Sequence, residues 1–315
     1  MVIVICFSDE GIESLLRILS NNRFFLSRET WTALGFLLPL VGFVVIFILV
    51  PILGTLSDSL FLDVTYRPKR FLGVDNFIWL FKDPGFGRAL RFTCLFVLVS
   101  VPLEVILGLV IALVLNERLP WRGLLRAGML IPWAIPAVVS GRIFELIYNY
   151  SYGIANYILS AMNLTPGPVN WLGSEIGAFL ALVAADSWKT TPFAAIILLA
   201  GLSAIPDDLY RQAQVDRADF IQRFFKITLP LLKPVLIVVL LFRTIEALRV
   251  FDLIFVLTGG GPGGTTTSIS LFGYNYFSAG DFGYGSAASV ILFIMAFGLS
   301  LGLVKLGRVE QGLTP

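Results

Sequence analysis

The sequence has no histidine, only two cysteines and little charge. Without histidine there is no imidazole base, no Ser-His-Asp triad and no zinc site of the usual kind. Two cysteines, Cys6 and Cys94, exclude a disulfide framework and read as small apolar fillers. Charged residues are 14% of the 315 while hydrophobic ones are 57%, and the mean hydropathy is +0.86. That balance lies outside the range of an ordinary soluble domain. A Walker A loop is missing as well. The GGGPGG run at 259–264 is followed by no Lys that could reach a phosphate, so its glycines read as a tight turn leaving a helix.

What is present is long apolar runs. A bilayer core of about 30 Å needs about 20 consecutive apolar residues per helix. Six such spans can be placed, near 32–57, 89–115, 124–147, 175–201, 234–257 and 284–306. An even number puts both termini on one side. That side carries 13 of the 23 basic residues and the other carries 6, all within 58–91, which predicts cytoplasmic termini. The MVIVICF start has no basic residue and is followed by Asp9 and Glu10, so it does not read as a signal peptide. Residues 1–30 are expected to be a cytoplasmic segment, 31–307 the transmembrane domain and 308–315 a cytoplasmic tail. From Ser8 as N-cap, Ile12, Leu15, Leu16 and Leu19 recur at helical spacing, which suggests a short amphipathic helix on the inner surface. A frayed tail is the alternative.

Two spans are interrupted by charge. The fourth contains Asp186 and Lys189, three apart, and Pro192, which predicts a kink or break. The fifth contains Arg243, Glu246, Arg249 and Asp252 at successive steps of three, a slanting stripe near mid-membrane. A charge there costs on the order of 3 kcal/mol on insertion scales, so these groups must pair or face a wet cavity. Neutralised ion pairs locking the bundle and a polar substrate path both satisfy that demand.

Between spans four and five, residues 207–230 read DDLYRQAQVDRADFIQRFFKITLP, far more charge than a connecting loop needs. Locally this is two short helices. Pro206 suits a first helical position, with Asp207 and Asp208 on the positive end of the dipole and an end near Val215. Asp219 can cap the second, whose Ile221, Phe224 and Phe225 form an apolar face, with Pro230 and Pro234 separating it from span five. Such a face rests on lipid headgroups or enters a groove on another protein.

The loop resembles the EAA loop of permease subunits from binding-protein-dependent ABC importers, where Glu-Ala-Ala is followed after three residues by Gly and after nine more by Ile-x-Leu-Pro. Ile227, Leu229 and Pro230 match the end, Ala213 the second Ala, and Asp216 the Asp often found before the Gly. Arg211 stands in place of the Glu, Gln212 of the first Ala and Arg217 of the Gly. An Arg at a positive-φ Gly position carries a steric cost or requires a reshaped turn. FLGVDNFIWLFKDPGF at 71–86, IPWAIPAVVSG at 131–141, WKTTPF at 188–193 and VFDLIFVLTGGGP at 250–262 look like sugar-permease segments in the same order. Together with IPDDLY and FFKITLPLL they are similar to the maltose and trehalose type.

The resemblance implies an all-α membrane protein with the six transmembrane helices of the type I ABC importer permease fold. Its coupling (EAA) loop, 203–232, would be inserted in a partner ATPase. It implies a non-enzymatic subunit that binds no cofactor, with ATP and Mg on two ATPase partners. A second homologous permease, an extracytoplasmic sugar-binding protein, a di- or oligosaccharide and membrane lipid complete the expected partners; no nucleic acid is implied. Carried over position by position, the sugar contacts fall on Trp133, Ala137, Lys189, Thr190, Phe193, Arg243, Glu246, Ala247 and Val250. The ATPase contacts fall on Arg211, Ala213, Gln214, Asp216 and Arg217. Arg249 and Asp252 are expected to be structural. Arg211 and Arg217 make the docking surface basic, so an acidic rim is expected on the ATPase groove. A glycerol-phosphate permease, using Arg243 and Lys189 on a phosphate, and a proton-coupled secondary transporter are the competing readings.

Overall fold

The computed structural model describes residues 28–117 and 120–311, so the expectations for 1–27 and 312–315 lie outside the described residues. The chain divides into two compact units, Met1–Ser57 and Asp58–Pro315. In the first, α1 (Arg28–Val44) passes through a π-helical turn, Val45–Leu49, into α2 (Val50–Asp58). Apolar residues run round its whole circumference, the composition of a span that meets lipid on most sides.

The second unit begins with a small antiparallel pair, β1 (Phe61–Leu62) and β2 (Arg70–Phe71), with Phe61 opposite Phe71. Asn76 donates to the carbonyls of Ser59 (2.9 Å) and Phe61 (2.8 Å), and Lys69 bridges Asp58 (2.7 Å) and Asp63 (2.9 Å). Those two carboxylates, Asp58 first, raise the Lys69 pKa. α3 (Asp75–Lys82) leads into α4 (Pro84–Asn116), whose start is set by Asp83 accepting from Gly85 N at 2.7 Å with Pro84 at its first position.

The expected third span is two helices, α5 (Arg122–Ala134) and α6 (Ala137–Ile147), meeting at 90°. Pro136 explains the break. It pushes Ile135 into extended backbone, ψ 131°, and cannot donate the next helical bond. A short α7 (Ile154–Ala161) follows.

The expected break at Pro192 is absent: α8 runs unbroken from Glu175 to Ser203. This helix is the most deeply packed in the unit, with Pro192 buried and α4, α5 and α11 as neighbours. Burial of Pro192 against these neighbours offsets the lost backbone bond. At its crossing with α4, a Cβ on Gly108 would lie 2.9 Å from the Ala194 Cβ, so only Gly permits this approach.

The loop holds α9 (Asp207–Val215), and Pro206 caps it rather than starting it. Asp219 caps α10 (Phe220–Arg223), which does not stop at Pro230 or Pro234 as expected. It continues through a π-helical turn, Phe224–Thr228, into α11 (Leu229–Leu248). The widened turn puts Pro230 in the first positions of a fresh α-helical stretch, where a missing N–H is tolerated. The fifth span is therefore one helix from Phe220 to Leu248, not 234–257. Residues expected at its end form a separate helix, α12 (Asp252–Leu257).

The glycine run after α12 is a turn, as expected. Gly259, Gly260, Gly263 and Gly264 all have positive φ, and the Thr258 and Thr266 hydroxyls bond at 2.8 Å. α13 (Ile269–Ser278) and α14 (Phe282–Gln311) close the chain. Among the described residues, five helices are long and apolar enough to cross a membrane, six if the bent α5–α6 pair is one span.

Candidate functional site

Three helices bring four charged side chains together. Arg243 on α11 donates from Nε to Glu104 Oε2 on α4 at 2.7 Å and from Nη2 to Asp186 Oδ2 on α8 at 3.4 Å. Its Nη1 donates to Glu246 Oε2 one turn further along α11. Arg243 and Glu104 are 1% and 0% exposed, whereas the Glu246 side chain is 45% exposed. Burial of a lone charge is prohibitive, and three carboxylates converging on one guanidinium make it tolerable. Arg243 is thus paired, though not as one of two neutralised pairs within the stripe: two of its three carboxylates come from other helices, and Glu246 is the member that opens outward.

The rest of the stripe is not a stripe. α11 ends at Leu248, so Arg249 lies at its C-cap and Asp252 starts α12, both exposed and out of register with Arg243. Reading residues 234–257 as one helix produced that error. Glu104 was the residue missed. The signal for it was a single carboxylate inside the apolar run VPLEVILGLV, which a hydropathy count absorbs and a charge-cost argument does not.

Beside this cluster, next to the break between α5 and α6, stands an aromatic wall. Trp133, three residues before Pro136, stacks on Phe193 of α8 with ring centres 5.8 Å apart and 24° between planes. Phe193 meets Phe242 of α11 edge-on at 6.2 Å, and the Lys189 ammonium donates to the Trp133 carbonyl at 3.4 Å. Trp133, Ala137, Lys189, Phe193, Glu246 and Val250 are exposed or half-buried. Arg243 and Ala247 are buried, and Thr190 is turned back to the Asp186 carbonyl at 2.7 Å. The accessible face thus combines indole and phenyl rings with a carboxylate and an ammonium, chemistry that suits apolar ring faces and polar edges.

At the other end of α11, the loop forms a second site. α9 ends in a Schellman motif: the N–H of Ala218 reaches the Ala213 carbonyl at 2.9 Å and that of Arg217 reaches the Gln214 carbonyl at 3.0 Å. The first residue past the cap, Arg217, must be left-handed to close both bonds, and it has φ 57°. The Gly-type turn is kept and Arg217 carries its strain. Asp219 and Gln222 form a reciprocal capping box, 2.7 and 3.2 Å. Tyr210 of α9 shares a hydrogen bond with Thr228 at 3.0 Å, tying the loop to the base of α11. Sequence reading had passed over both residues.

Arg211 and Gln214 line a cleft of about 370 Å³ between α9 and the bundle, with Asn116, Glu117 and Arg223. Asp216 and Arg217 are exposed, and Ala213 is half-buried. Of the apolar face, Ile221 and Phe225 are 64% and 60% exposed, while Phe224 turns into the cleft.

This arrangement matches known proteins along most of the chain. The chain is 54% identical over 281 residues to the trehalose/maltose transport system permease of Thermococcus litoralis, covering 88% of this chain and 95% of that one. It is 40% identical to the trehalose transport system permease of Mycobacterium tuberculosis over 253 residues, 80% of each chain. Among solved structures, a bacterial ABC transporter involved in the import of the acidic polysaccharide alginate superposes with a TM-score of 0.79 at 25% identity, covering 91% of this chain and 98% of that one. Residues 104–306 match the family described as binding-protein-dependent transport system inner membrane component, and the chain belongs to that family of multi-pass permease subunits.

Proposed function

We propose that this chain is one of two permease subunits of an ATP-driven importer for a neutral di- or oligosaccharide of the trehalose or maltose kind. The observation that carries the reading is the unbroken helix from the Asp219 capping box to Glu246. At 1.5 Å per residue it spans about 40 Å, joining the loop to the polar cluster as a rigid lever. Two ATPase subunits, holding ATP and Mg, dock on the loop. Their closure rotates the lever and switches the cavity from inward to outward access. An extracytoplasmic binding protein delivers the sugar, and a second permease completes the path, with both termini of this chain in the cytoplasm. The alginate transporter, solved in complex with a pentasaccharide-bound periplasmic protein, supports the delivery step.

Trp133, Ala137, Lys189, Phe193, Glu246 and Val250 are the sugar contacts this reading favours, with Thr190, Arg243 and Ala247 supporting them from behind. Of the two cations that could hold a phosphate cargo, Arg243 is already engaged by three carboxylates, which leaves only the Lys189 ammonium. That favours a neutral sugar over a glycerol phosphate.

The test is uptake of labelled trehalose and maltose by the four-subunit complex in liposomes. Uptake is expected to require internal ATP and the external binding protein and to ignore the proton gradient. Uptake that collapses with the gradient at constant ATP would overturn the reading in favour of a secondary transporter.

A further inference from the structure

We propose that Glu104, a residue with no exposed surface, is a positioning residue of the cargo site. Acting through Arg243, it fixes where the Glu246 carboxylate meets the sugar. The inference rests on the reading that Glu246 is a cargo contact.

The geometry is directional. A guanidinium is a rigid plane with its donors in a fixed fork, so anchoring Nε determines where Nη1 points. Glu104 Oε2 anchors Nε at 2.7 Å, within a buried pair, and Nη1 holds Glu246. The other carboxylate, Asp186, lies at 3.4 Å and is too loosely bonded to set the plane alone. Of the three carboxylates only Glu246 opens widely outward; the side chains of Asp186 and Glu104 are 11% and 0% exposed.

Glu104 meets Arg243 through one of its two oxygens. Its second oxygen, Oε1, has no hydrogen-bond partner among the described residues, and neither do the buried hydroxyls of Ser100, one turn before it, or of Ser187 and Thr191 on α8. Burying a carboxylate is costly, and the bond to Arg243 is an interaction that offsets the cost. That bond spans α4 and α11, so the Glu246 carboxylate is set by the relation between two helices rather than by α11 alone. A flexible carboxylate at the mouth would lose entropy each time it captured a hydroxyl, and the fixed one does not.

The experiment is a double-mutant cycle on the assembled complex, reading equilibrium binding of labelled trehalose and maltose together with complex yield. Glu246→Gln is expected to weaken sugar binding roughly tenfold, as for loss of one charge-assisted hydrogen bond. Glu104→Gln keeps the volume but loosens the Arg243 plane, and is expected to weaken binding about three- to tenfold at unchanged yield. Glu104→Asp keeps the charge but draws the carboxylate back from Nε by one methylene, so it is expected to weaken binding about as much as Glu104→Gln, which an effect of charge alone would not do. The double variant should bind no more weakly than Glu246→Gln alone, because both act through one carboxylate. Losses that multiply in the double variant, or Glu104→Gln binding at the native level, overturn the proposal while leaving Glu246 as a contact. If Glu246→Gln itself binds normally, the cargo reading of Glu246 fails instead. Should Glu104→Gln not assemble, the same cycle is run with Glu104→Asp and the same criterion of additivity.

Discussion

Arg243 and Glu104 are 139 positions apart in sequence, yet the Nε of one donates to the carboxylate of the other at 2.7 Å with neither side chain reaching solvent. Such a pair is costly to break from one side, because the survivor is left buried and charged. Arg243→Ala strands Glu104 beside Asp186 and is expected to destabilise the unit by about 3–5 kcal/mol. The double variant Arg243→Leu with Glu104→Leu removes this pair but leaves Asp186 without its guanidinium, and is expected to recover only part of that. Thermal unfolding of the complex in detergent checks this ordering; a double variant less stable than the single would reverse it.

The Trp133 and Phe193 stack depends on a backbone break. Trp133 is 47% exposed, so its indole is both held by Phe193 and free to meet a ligand. Trp133→Ala is expected to weaken sugar binding about tenfold, from lost ring-face contact. Trp133→Phe should keep most of the affinity. Equal losses in the two variants would mean that the indole N–H, not the face, is what the site uses.

Tyr210 and Thr228 join the loop to the lever through one hydrogen bond. Tyr210→Phe removes it at a cost of about 1 kcal/mol and leaves the ring packing intact. The expected result is lower transport per ATP hydrolysed with sugar binding unchanged. Transport and hydrolysis falling together would mean that the bond supports docking rather than transmission.

The sequence carried six spans, with the bent α5–α6 pair counted as one, the first loop helix and the Asp cap of the second, because each rests on local signals: apolar run length, acidic helix starts and an Asp cap. It failed where proline was read as punctuation. Three prolines in similar apolar settings had three outcomes. Pro136 broke its helix, Pro192 was absorbed on the buried side of its helix, and Pro230 was accommodated by the π-helical turn before it. Those outcomes depend on neighbours distant in sequence, which periodicity does not encode. Misplacing the fifth span by a few turns then produced a four-charge stripe where the molecule has a three-helix cluster. Arg243 and Glu246 were found through their charge cost. Glu104 escaped because it stands alone in its run, and only the fold brings it to Arg243.

Arg217 offers the sharpest separation of strain from charge. It occupies the left-handed position of a Schellman motif, φ 57°, where Gly has no steric cost and other residues lose roughly 1 kcal/mol. Arg217→Gly should therefore stabilise the α9 turn by about that much, seen as slower hydrogen exchange at the Arg217 and Ala218 amides that close it. The same change removes an exposed positive charge from the docking loop. If the ATPase groove carries an acidic rim, the stabilised loop will nevertheless bind it more weakly, by a few-fold at low salt and less as salt rises. Arg217→Asn, which tolerates left-handed backbone and is neutral, should show the same weakening with a smaller gain in protection. Tighter ATPase binding in both neutral variants would show instead that Arg217 faces a basic groove.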